Sequence, residues 1–451
     1  MRLILMVFLI YLVMAPTFSV QAQELGSDQV QNKDKGTQKP EDRVKTLEDS
    51  IKKQQQTIDE QQKNLDELKS NVDQLAESQK QVVPSVFNPS IGLVGETIFS
   101  YRSRGPSQTG SDTPGGFDIF QRSVELNVAG SVDPFAKGYA VINATADAAT
   151  GESSLEVEEA AIQTTALPWN LELKAGLFFG EFGRLSYIHD HELPFVNRPL
   201  VLDQYIGGES KTSGAQINWL VPVEHYISLS LGLGDQFGGD NPPNFVGDFR
   251  HASGFNYWGR LSTYFELTPD IAFEPGISGL WNPKTEAQWD PAVQALPTVG
   301  GNTFTERERR LTGLDFVLSW KPLRNNQFQS LTWGTELLYS DNHYDVTDPL
   351  GAALPSRWVS AYGLYSYITY KWHRQWSGGV LYDWLEDVVD SQAKTSAYSA
   401  YITWALSHWN QIRLQYTYTD PNAASGLRAD NAVYVQWAWI IGSHAHGWQQ
   451  R

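Results

Sequence analysis

From Ile91 onward, apolar and polar side chains change places with a period of two. Phe120, Val124, Leu126, Val128 and Val132 alternate with Gln121, Ser123, Glu125, Asn127 and Ser131. Leu171, Leu173, Ala175, Leu177 and Phe179 alternate with Glu172, Lys174 and Gly176, and Thr312, Leu314, Phe316, Leu318 and Trp320 with Gly313, Asp315 and Ser319. Ile412, Leu414, Tyr416 and Tyr418 do the same against Gln411, Arg413, Gln415 and Thr417. Successive side chains of a strand point to opposite faces, so each segment has one apolar and one hydrophilic face.

About sixteen such strands fit between 91–101 and 430–441. Their connections sort by length. Short turns lie at Asp133-Pro134-Phe135, Leu167-Pro168-Trp169, Pro222-Val223-Glu224, Thr268-Pro269-Asp270, His373-Arg374-Gln375 and Ser407-His408-Trp409. Long connections lie at 102–119, 180–212, 234–254, 282–308, 342–358 and 419–429. Short turns on one rim and long loops on the other belong to an all-β transmembrane barrel of about 16 antiparallel strands, spanning 90–442, with lipid outside and water inside. With 16 Trp and 20 Tyr the chain has material for aromatic girdles at the interfaces. A mean hydropathy of −0.36 is compatible with this, since only every second strand residue meets lipid.

Ahead of the barrel the period changes. Met1 to Ala22 reads as a secretory signal peptide: Arg2, an apolar run from Leu3 to Ala15, then Val20-Gln21-Ala22 as cleavage site. Residues 23–42 are too poor in apolar side chains to bury a core and read as a disordered linker. In 43–83 the series Val44, Leu47, Ile51, Gln54, Ile58, Gln61, Leu65, Leu68, Val72, Leu75, Gln79 and Val82 steps by three and four, the seam of an α-helical coiled coil. This predicts a periplasmic stalk holding a homotrimer. Residues 443–451 form a C-terminal tail containing His444 and His446.

The most chemically dense stretch is the connection from Gly180 to Asp203, GEFGRLSYIHDHELPFVNRPLVLD. Counted after 102–119 and the connection between strands 137–146 and 155–165 on the same rim it is the third, and the architecture resembles that of general porins, whose third outer loop folds inward. That resemblance implies a pore constriction made by Glu181, Arg184, His189, Asp190, His191, Glu192 and Arg198, with Leu185, Tyr187, Leu193, Phe195, Val196 and Leu200 packed on the inner wall. Strand parity places Glu125, Glu172, Lys174, Arg260, Glu266, Asp315, Glu336 and Arg413 in the lumen. His189 and His191, beside Asp190 and Glu192, have the donor types of a divalent-metal site; no cofactor is otherwise implied. Gly183-Arg184-Leu185, His189-x-His191 and Phe195-Val196-x-x-Pro199-Leu200 also resemble a loop of barrel proteins described as zinc-regulated and TonB-dependent-receptor-like. Barrel plus helical stalk resembles the phosphate-selective porins of the O and P type, which implies anion passage.

The formal net charge, 34 basic against 51 acidic residues or −17, argues against nucleic acid as a partner and favours cations over anions in a water-filled lumen. With no cysteine there is no disulfide framework, lipid anchor or thiolate site. No Gly-x-Ser-x-Gly elbow or Walker loop is present, so an enzyme is not expected. The expected function is therefore passive diffusion of small hydrophilic solutes or ions across the outer membrane of a Gram-negative bacterium. A zinc-linked or TonB-dependent uptake barrel is the first alternative and an outer-membrane hydrolase the second.

Overall fold

The computed structural model describes residues 89–111, 113–146, 151–238, 251–284, 297–324 and 328–442, together with Lys52 and Gln55. The signal segment, the linker, all but those two residues of the coiled coil, and the tail lie outside the described residues.

The strands are β1 Ser90–Arg102, β2 Gly116–Asp133, β3 Ala136–Ala146, β4 Ser153–Thr164, β5 Leu171–Phe179 and β6 Lys211–Leu220. They continue as β7 Ile227–Gly234, β8 Asn256–Thr263, β9 Phe265–Thr268, β10 Ile271–Asn282, β11 Thr298–Val299 and β12 Asn302–Trp320. The last are β13 Ser330–Thr347, β14 Ala353–His373, β15 Trp376–Glu386, β16 Lys394–Ser407, β17 Asn410–Pro421 and β18 Asp430–Gly442. Apart from β9 and β11, each pairs antiparallel with the next strand along the chain, and β1 pairs with β18 from Gly92↔Gly442 to Arg102↔Ala432, which closes the sheet. β8 and β9 share one register against β10 and form one interrupted strand, while β11 only hairpins onto β12. Of the eighteen segments, sixteen are thus barrel strands, the all-β barrel expected from the alternation.

Burial is inverted relative to a soluble fold. Phe117, Ile119, Leu155, Leu231, Leu314 and Ile441 are exposed, whereas Glu96, Asn127, Gln216, Glu336 and Gln436 are buried. The apolar band therefore faces outward, as lipid requires, and the polar face lines the interior. Five exposed tryptophans lie at the short-turn rim, Trp169, Trp372, Trp376, Trp404 and Trp409, with Trp376 stacked on Trp404 at 5.8 Å, while Trp281 and Trp358 are exposed toward the long-loop side. No helix among the described residues is long and apolar enough to cross a membrane, so strands do the spanning.

Two departures from simple alternation matter for the interior. On β2, Glu96 pairs with Ser123 but Thr97 with Gln121, so Arg122 is the extra residue of a β-bulge. On β4, Val141 pairs with Glu159 but Ile142 with Val157, leaving Glu158 extra. A bulge re-aims side chains. Phe120, expected on the apolar outer face, thereby turns inward and packs beside Ile98 and Val196, and the consecutive Glu158 and Glu159 are both buried. The long connections 282–308 and 342–358 are also partly strand: β12, β13 and β14 run six or seven residues further outward, leaving Asp348–Ala352 as the turn. Phe304, Tyr344, Val346, Val359 and Val389 form the small apolar cluster supporting this extension.

Candidate functional site

The connection between β5 and β6 enters the barrel and is buried or half-buried there except at Glu192 and Asp203. Its ends meet at the wall: the Gly180 amide donates to the Ser210 carbonyl at 2.9 Å, and Ser210 Oγ to the Gly180 carbonyl at 2.6 Å. Pro194 and Pro199 break the chain between a single turn at Asp190–Glu192 and a short helix at Leu200–Ile206, which Gly207 ends with φ 92°. Gly183 has φ 57°, and a Cβ there would run into the Glu336 carboxylate, so this turn requires glycine.

One side of the loop is apolar. Phe182, Leu185, Leu193, Phe195, Val201, Leu202, Tyr205 and Ile206 pack with wall residues including Phe178, Trp258, Leu338, Tyr365, Tyr367 and Tyr401. Leu185, Leu193, Phe195 and Val196 lie against the inner wall as expected, while Tyr187 and Leu200 are only half-buried. Phe195 is fully buried and meets Tyr367 and Tyr401 edge-on at 5.6 and 6.0 Å. Phe195→Ala is expected to cost about 3–5 kcal/mol of unfolding free energy, measured by denaturant unfolding in detergent.

A backbone buried inside a barrel needs partners for its amides and carbonyls, and wall side chains supply them. Arg413 donates to the Phe195 carbonyl at 2.9 Å and Arg122 to the Val196 carbonyl at 2.5 Å, while Gln415 accepts from the Val196 amide at 2.7 Å. Arg309 reaches the Tyr205 carbonyl; Ser278 Oγ accepts from Gly183 and Glu336 from Arg184, at 2.9 and 3.1 Å. Within the loop, Arg198 bonds the Leu185 and Ile188 carbonyls and pairs with Asp190 and Glu209. Arg198 is therefore buried rather than facing water, because it satisfies carbonyls that a folded-in loop would leave bare.

The other expected constriction residues divide. Arg184 meets Glu274 of β10 at 2.9 Å with 32% and 34% of the side chains exposed, Asp190 is 36% exposed, and Glu192 is exposed. With Asp203, exposed on the short helix, these are the most water-accessible charges of the region. Glu181 takes the Ser230 hydroxyl at 2.5 Å. His189 and His191 are buried in a carboxylate cluster: His189 Nε2 stands 2.9 Å from Glu159, His189 Nδ1 3.7 Å from both Glu125 and Glu158, and His191 Nδ1 3.0 Å from Glu125. Burial disfavours the imidazolium of His189, but the Glu158 and Glu125 carboxylates outweigh it and hold the pKa well above the ordinary value; Glu125 does the same, less strongly, for His191. Burial, then the Glu158 charge, pushes the Glu209 carboxyl well up.

Of the expected lumen residues, Glu125, Lys174, Arg260, Asp315, Glu336 and Arg413 are buried inside, and Glu172 takes the Asn218 amide at 2.9 Å. Glu266 stands apart, exposed on β9. Glu96, Arg122, Glu158, Glu159, Glu209 and Glu274 were not anticipated. A signal existed for two of the strands: outward apolar residues change parity between Ile119 and Val124 and again between Val157 and Ala160, and each change marks a bulge.

No family model matches the chain. An uncharacterized protein of Aquifex aeolicus is 25% identical over 347 residues, covering 71% of this chain and 68% of that protein. Among solved structures, OprB of Pseudomonas putida matches with TM-score 0.51 and 9% identity, over 78% of this chain and 94% of that one. The outer membrane channel DcaP of Acinetobacter baumannii matches with TM-score 0.50 and 10% identity, over 78% and 97%. At such identities the likeness is one of fold.

Proposed function

We propose that this chain forms a water-filled diffusion channel in the outer membrane of a Gram-negative bacterium, with the β5–β6 connection as its constriction. The observation that carries the reading is a closed barrel of lipid-facing strands whose β5–β6 connection is anchored inside the lumen. The shared fold with outer-membrane barrels supports it. Small hydrophilic solutes or ions are the cargo, and the coiled coil of 43–83 is read as a trimerising stalk in the periplasm. A plugged TonB-dependent receptor would need about 22 strands.

Water reaches four carboxylates, Glu274, Asp190, Glu192 and Asp203, and one cation, Arg184, so a preference for small cations is expected. In planar bilayers the full chain should give steady open channels whose reversal potential under asymmetric KCl has the sign of K⁺ preference. Glu192→Lys with Asp190→Asn should move that potential toward Cl⁻. Absence of conductance would refute the channel, and an unmoved potential would take this face of the loop out of the ion path.

A further inference from the structure

We propose that His189 and His191 of the inner loop, with Glu125 of β2 and Glu158 of β4, hold one divalent ion of the zinc class that fastens the loop to the barrel wall. Three donor separations are near those of ligands sharing an ion, and Glu158 joins the set through His189. Four ligands about 2.0–2.1 Å from a tetrahedral zinc lie roughly 3.4 Å from one another. His189 Nδ1 is 3.7 Å from both Glu125 Oε2 and Glu158 Oε1, too long for a hydrogen bond but close to that separation, and His191 Nδ1 is 3.0 Å from Glu125 Oε1. Donor atoms of Glu125, His189 and His191 all lie within 4.8 Å of one another, as do those of Glu158, His189 and Glu209.

Three further observations point to an ion. Glu158 is 6% exposed, and its Oε2 has no hydrogen-bond partner. On the far side of His189, Nε2 lies 2.9 Å from Glu159 Oε1, while Glu159 Oε2 takes the Tyr139 hydroxyl at 3.0 Å. A carboxylate behind an imidazole orients the ring and fixes the tautomer, so that the other nitrogen presents its lone pair to a metal. Charge agrees as well: with the Glu209 carboxyl kept neutral by burial, Glu125, Glu158, Glu159 and Asp190 stand against two side-chain cations, Lys174 beside Glu159 and Arg198 beside Asp190. A divalent ion held by neutral imidazoles offsets the two excess charges in a buried place where they are costly.

Imidazole with carboxylate selects zinc, copper or nickel over magnesium and calcium. The ligands come from loop and wall together and are buried, which is the closed form of a structural site rather than a transit point. Both bulges serve it: one re-aims β4 so that Glu158 and Glu159 both turn inward, and the other, at Arg122, lies three residues before Glu125 on its inward run.

The test is calorimetric titration of Zn²⁺ into the EDTA-stripped full chain in detergent, with folding of each variant checked by heat-modifiable electrophoresis. One ion per barrel is expected. His189→Ala or Glu125→Gln should weaken it about 100-fold or more, and Glu159→Gln, which touches only the ring, about 10–100-fold. Glu158→Gln is the conservative variant should His189→Ala fail to fold. X-ray absorption should show mixed nitrogen and oxygen ligands at about 2.0–2.1 Å. The proposal is overturned if no saturable zinc binding occurs, if Mg²⁺ competes equally, or if binding survives in the folded His189→Ala or Glu158→Gln chain and is lost in His444→Ala/His446→Ala. Conductance is measured separately, so an open channel without zinc binding would end this proposal and leave the channel reading intact.

Discussion

Replacing residues 182–208 by a two-residue glycine linker is expected to raise single-channel conductance several-fold. The deletion is geometrically open because the base of the loop is already closed, with Gly180 and Ser210 bonded to each other through amide, carbonyl and hydroxyl. The strand ladder on either side, Leu171↔Trp219 to Phe179↔Lys211, does not depend on what lies between. What is removed is a packed body that reaches β2, β10, β12, β13, β15 and β17 through Arg122, Ser278, Arg309, Glu336, Glu386 and Arg413. These wall groups would then face water, where charge is tolerated. Bilayer recordings of wild-type and deleted chains check the expectation; equal conductance would mean that ions pass by a route the loop does not narrow.

Much of the barrel was legible because lipid and water impose a binary choice at every strand position, and the sixteen segments fall within a few residues of the observed strands. The misplaced ends, at Asn302, Thr347 and Ala353, lie where the sheet rises past the membrane and that choice no longer applies. There the stretch TERERR is polar throughout, and strand pairing is held by contacts such as Phe304 with Tyr344, at 5.9 Å, which no local period announces. Parity also failed at Phe120, for a reason written in the chain: the outward set shifts from Phe117 and Ile119 to Val124, Leu126 and Val128, and a continuous strand can shift only through a bulge.

The interior was less legible. His189 and His191 drew notice as a pair with adjacent acids, yet the nearest carboxylates come from 30 and 66 residues away along the chain, and the adjacent Glu192 points to solvent. A strand residue's partners across a barrel depend on which wall the loop meets, and nothing in the spacing of a loop states that. Arg198 shows the same limit. Its charge suggested a water-facing role, while its function in the fold is to bond the Leu185 and Ile188 carbonyls, a need that arises only once the loop is buried.

Arg260→Met is expected to destabilise the folded barrel by about 3–5 kcal/mol, because it strands a buried carboxylate. Arg260 grips Asp315 with two bonds, 2.6 and 2.9 Å, and the side chains are 5% and 1% exposed. It also donates to Ser278 Oγ at 3.1 Å, the oxygen that accepts the Gly183 amide where the loop turns into the lumen. The pair thus couples β8, β10 and β12 to the start of the constriction, and its loss should loosen both. The paired replacement Arg260→Met with Asp315→Leu removes the stranded charge and should recover most of the stability, since a desolvated ion pair exchanged for apolar contact is often neutral. It should not recover the loop's anchor at Ser278, so proteolysis at Arg184 or Arg198 should stay faster than in wild type while the unfolding midpoint returns. If the single variant costs less than about 1 kcal/mol, the value typical of an exposed pair, lumen water must already solvate Asp315, and this part of the wall would belong to the aqueous path rather than to the packed support beneath it.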